Sequence, residues 1–93
     1  MATNWDKDTI KSRIAASNAW VARAIWVLAD AATSIRMPTP ELEQQAKDDA
    51  KFFQNLRDFF KENGFFTDRH IAVARNKMRD PYYDYLSAVA ANS

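Results

Sequence analysis

Apolar residues recur along most of this chain at the three-to-four-residue spacing of an amphipathic helix. From near Asn4 or Asp6 to about Ser34, the residues Ile10, Ile14, Val21, Ile25, Leu28, Ala32 and Ile35 fall on one arc of roughly 80°, at about 100° per residue. The spacing predicts one long first helix. Its flanks are apolar as well, with Trp20, Ala24, Val27 and Ala31 on one side and Ala22, Trp26 and Ala29 on the other. Between Ala19 and Ala32 only Arg23 and Asp30 carry charge. A helix this apolar is either the central helix of a bundle or part of an interface.

The punctuation that follows predicts three more helices. Met37-Pro38-Thr39-Pro40 ends the first, with Thr39 as the next N-cap, Pro40 as the first helical residue, and Glu41 and Glu43 complementing the positive helix terminus. The second helix then runs from Pro40 to about Asn63 and stops at Gly64, a residue suited to the left-handed C′ position. Leu42, Ala46, Phe53, Leu56 and Phe60 form its buried stripe, Phe52 and Phe59 lie about 100° to the side, and Lys47, Lys51, Asp58 and Glu62 face solvent. Thr67 reads as another N-cap, with Phe66 and Ile71 placed as a hydrophobic staple. The third helix runs from Asp68 to about Arg79, burying Ile71, Ala74 and Met78. Asp80-Pro81 opens the fourth, which runs to about Ala90.

Composition agrees with this pattern. One Gly in 93 residues leaves little turn material for sheets, so the fold expected is all-α: one domain, residues 1–93, a compact bundle of four helices with the first central. The absence of Cys excludes disulfides and thiolate metal sites and suggests a reducing, intracellular setting. No 20-residue apolar run is present, so no membrane span is expected, and the opening residues lack the apolar core of a signal peptide.

Catalytic patterns are missing. A single Gly excludes the phosphate-binding and dinucleotide loops, and the single His70 excludes the paired-histidine zinc motif. No Ser has a recognisable nucleophile context, and Asp48 and Asp49 diverge on their helix. The expectation is a protein that is not an enzyme, with no cofactor and no metal. His70, in the first turn of its helix, is expected to be a partly exposed, neutral side chain.

Charge is concentrated in one place. Residues 1–67 carry nine basic and nine acidic groups, residues 68–79 carry four basic groups against Asp68, and the remainder has only Asp80 and Asp84. The third helix is therefore the basic element. Arg69, Arg75, Asn76, Lys77 and Arg79, with the following Tyr82 and Tyr83, are the candidate partner-binding residues. The same cations could serve phosphates, with tyrosines for stacking, so nucleic-acid binding is the alternative. A helix-turn-helix reading fails because Phe60 stands where a small residue is needed and His70 where an aliphatic one is. The aromatic flanks Trp20, Trp26, Phe52 and Phe59 exceed one stripe per helix and are the candidate self-association surface of a homodimer.

Two stretches, Ser17-Asn18-Ala19-Trp20-Val21-Ala22-Arg23-Ala24-Ile25 and the run from Gly64 to Met78, resemble a pattern in small helical proteins of phages and mobile elements. That pattern reads W-V-x-R-A-I, then G-F-x-T followed at fixed spacing by A-R-x-K-M, and usually has Gln at the place of His70. The resemblance covers about a quarter of the chain. It implies a phage or prophage origin and no particular activity. The function expected is a non-catalytic protein-binding module, a phage-type accessory or inhibitory protein acting on a host or phage protein, a defence system such as CRISPR included. Its expected location is the cytoplasm of an infected or lysogenic bacterial host.

Overall fold

The computed structural model describes residues 5–31, 35 and 37–91. Among them are five α-helices and no strand: α1 (Lys7–Ala16), α2 (Asn18–Ala31), α3 (Pro40–Asn63), α4 (Asp68–Lys77) and α5 (Asp80–Ala91). The all-α expectation holds. The helix count does not, because the expected first helix is two.

The break falls at Ser17, whose backbone is extended (φ −137°, ψ 121°). Its N–H still donates to the Arg13 carbonyl at 2.9 Å, and its own carbonyl accepts from Val21 N–H at 3.2 Å. Ser17 thus closes α1 and opens α2. In a continuous helix the Ile14 carbonyl would accept from Asn18 N–H. Here the Arg75 guanidinium supplies that donor instead, its Nε 3.0 Å from the Ile14 oxygen and its Nη2 2.8 Å from Asn18 Oδ1. Ser and Asn side chains favour such interruptions because they bond locally to backbone. The expected start at Asn4, the end near Ser34 and Ala32 of the stripe lie outside the described residues.

The other boundaries follow the local chemistry. Asp6 accepts from Thr9 N–H at 2.8 Å and caps α1. Thr39 accepts from Leu42 N–H at 3.2 Å, and Pro40 opens α3. Gly64 ends α3 in the left-handed region at φ 82°, with its N–H on the Phe60 carbonyl at 2.7 Å. Helix α4 ends at Lys77, short of the expected Arg79. Pro81 has no N–H to offer the Lys77 carbonyl, so the ladder cannot run on. The chain turns through an extended Met78, and the Arg79 carbonyl accepts from Tyr82 and Tyr83 to begin α5.

Helix α2 is the centre, in contact with all four others. Val21, Ile25 and Leu28 are fully buried and share one core with Ile10 and Ile14 of α1, Phe53 and Leu56 of α3, Ile71 and Ala74 of α4, and Tyr82 and Leu86 of α5. The central position expected of the first helix therefore belongs to its second half. Buried Ala24, Ala29 and Ala31 offer a low surface for neighbouring helices. Gln54 Nε2 donates to the Ala29 carbonyl at 3.2 Å and Arg57 pairs with Asp30, tying α3 along α2. No helix of the described residues is long and apolar enough to cross a membrane.

Candidate functional site

The basic face expected on α4 is largely spent inside the fold. Tyr82 is 1% exposed, and its hydroxyl donates to the Asp49 carboxylate of α3 at 2.7 Å. Asp49 is itself 3% exposed, the one buried charged residue among those described. Lys77 Nζ lies 3.5 Å from the same carboxylate and 4.9 Å above the Phe52 ring, and Arg79 Nε lies 4.0 Å from it. Two cations and a phenol thus surround one buried anion, the arrangement a desolvated charge requires. Burial, the hydrogen bond to Asp49 and the Asp49 charge push the Tyr82 phenol well above the usual tyrosine range.

Arg75 is committed to the α1–α2 junction. Tyr83 is buried, with Lys11 Nζ 5.7 Å over its ring. Of the seven residues expected to contact a partner, Arg69 and Asn76 remain as exposed side chains without an internal bond among the described residues, and Arg79 is half engaged. Tyr82 and Tyr83 are core residues, a correction to the expected surface. Asp49 was missed as an organising residue. Its helical angle places it between Leu56 and Leu42, inside the apolar stripe of α3, which is the signal that marks it.

The four aromatic flanks meet their own chain. Trp20 lies against Trp5 at 5.2 Å between ring centroids. Trp26 sets an edge against Phe60 at 6.0 Å, with Lys61 over it at 5.6 Å. Phe52 packs on Phe53 under Lys77, and Phe59 lies between Phe65 and His70. All four are half-buried. Each of these rings thus has a partner within its own chain and keeps part of its surface outward.

What stays outward is at the α3–α4 turn. The left-handed Gly64 directs the chain so that Phe65 is 52% exposed, the one large hydrophobic residue so exposed among those described. Phe65 stands edge-on to Phe59 at 5.7 Å, and Phe59 stands edge-on to His70 at 4.6 Å. His70 is fixed in turn by a capping box. Its Nδ1 accepts from Thr67 N–H at 3.3 Å, and its own N–H donates to Thr67 Oγ1 at 3.1 Å. Behind them Phe66 packs on Phe60 at 4.8 Å. The exposed ring rests on a half-buried aromatic stack, with exposed Arg69 four residues along. Aromatic rings and guanidinium groups are enriched at protein interfaces.

No three His, Asp or Glu side chains among the described residues are grouped to hold a metal ion. No protein-family model matches the chain, and no curated protein and no solved structure matches it either.

Proposed function

We propose that this chain is a non-catalytic protein-binding module whose contact surface is centred on Phe65, with Phe59 beside it and Arg69 and Asn76 along the exposed side of α4. The observation that carries the reading is Phe65 itself: a 52% exposed phenylalanine set against the half-buried rings of Phe59 and, behind it, His70. An exposed ring already leaning on a neighbouring ring loses less side-chain entropy on binding than a free one, which favours affinity. The likeness of two segments to small phage proteins supports the narrower reading, an accessory or inhibitory protein acting on a host protein in the bacterial cytoplasm.

The nucleic-acid alternative has weaker support. Arg75, Lys77 and Arg79 are engaged with Ile14, Asn18 and Asp49, so Arg69 alone of the four cations is unengaged among the described residues. Affinity capture from a nuclease-treated host lysate tests the two together. Protein binding predicts one protein enriched by the wild-type bait and lost with Phe65→Glu. Loss of all capture on nuclease treatment, together with a salt-sensitive gel shift, would favour nucleic acid instead.

A further inference from the structure

Away from that surface, α1, α2 and α5 leave a cleft of ≈ 280 Å³ lined by Ile14, Trp20, Arg23, Val27, Leu86 and Trp5 among others. Its walls are apolar, and among the described residues Arg23 is the only charged one that lines it. Trp5 and Trp20 form one wall, their rings 5.2 Å apart. The Arg13 guanidinium lies 5.3 Å from the Trp5 ring and 5.4 Å from the Trp20 ring, and Arg23 lies 5.4 Å from Trp20. Ser87 Oγ donates to the Trp5 carbonyl, fixing that wall to α5. Neither Arg13 nor Arg23 pairs with a carboxylate among the described residues.

We propose that this cleft binds a small amphiphilic carboxylate, its alkyl tail among Ile14, Val27 and Leu86 and its headgroup on Arg23. Size favours a single alkyl chain over a helix, since the volume is at the lower edge of the roughly 300–1,000 Å³ range of small-ligand sites. Charge selects the headgroup. A guanidinium over an indole face keeps N–H groups for the two oxygens of a carboxylate, and among the described residues no acidic side chain lines the cleft to repel it. Arg13 acts as a positioning residue that clamps the two indoles. Because Phe65 lies on neither wall, the site stands independently of the protein-binding reading.

The test is a titration of the full chain with sodium decanoate below its micelle concentration, followed by the indole N–H resonances of Trp5 and Trp20 in NMR spectra. The expected result is saturable shifts of those two indoles and of α1, α2 and α5 amides. Arg23→Glu, at an exposed position, should weaken binding about tenfold or more without lowering the melting temperature. Decanol should bind about as poorly as decanoate does to that variant, and Val27→Trp should fill the cleft and remove binding. No saturable shift, or equal binding of decanol and decanoate, would overturn the proposal. So would concentration-dependent shifts of the same residues without ligand, which would seat a second copy there.

Discussion

Asp49 sets the energetics at the scale of single residues. A carboxylate in an apolar stripe is tolerable only with its donors in place, and Tyr82, Lys77 and Arg79 supply them from α5, α4 and the turn between. Tyr82→Phe removes the one fully buried donor. It should lower stability by about 1–3 kcal/mol, measured by urea unfolding. The same pair predicts a pH dependence. Burial and Asp49 raise the Tyr82 phenol, and burial and Asp80 raise that of Tyr83. The native state therefore keeps these protons after the unfolded chain begins to lose its own, near pH ~10. Stability should be complete below that pH and fall as the pH rises through it toward the folded-state values. Thermal melts across alkaline pH should show this fall, shallower in Tyr82→Phe. At this scale the sequence was half legible. The angle of Asp49 on its helix exposes it as an anomaly, but the phenol that answers it is 33 positions away and reads, in sequence, as a surface stacking group.

Single elements divide by whether their ends are made locally. Thr39, Gly64 and Thr67 act within four residues of themselves, so the α3 boundaries and the start of α4 were legible from side-chain type alone. Even His70 fits this rule: its Nδ1 does what a Gln or Glu does at the third position of a capping box. The break at Ser17 is different. Ile14 and Val21 are seven residues apart, so the apolar period runs across it unbroken. What sustains the break is Arg75, 61 positions from the carbonyl it satisfies. Arg75→Ala should leave the Ile14 carbonyl without that donor and cost about 1–3 kcal/mol. Hydrogen exchange should report it as faster exchange in α1 and the first turn of α2, with α3 protected as before. Uniform acceleration in every helix would show that Arg75 acts on global stability alone.

The whole molecule is a slab of 37 × 34 × 21 Å, thin enough that every helix except α2 has a broad outer face. Half-buried rings follow from that shape, and they account for Trp20, Trp26, Phe52 and Phe59 without a second chain. Light scattering should accordingly give a mass of 10.7 kDa; a dimer mass would return those four rings to an interface. At the α3–α4 turn Phe65 stays exposed, with the Phe59 ring beside it. Whether this turn is the working surface is read out by capture from a nuclease-treated host lysate with three baits of matched thermal stability: wild type, Phe65→Ala, and Lys47→Ala on the solvated face of α3. One protein partner should be retained by the wild type and Lys47→Ala and lost by Phe65→Ala. Retention of the same partner by Phe65→Ala would contradict it.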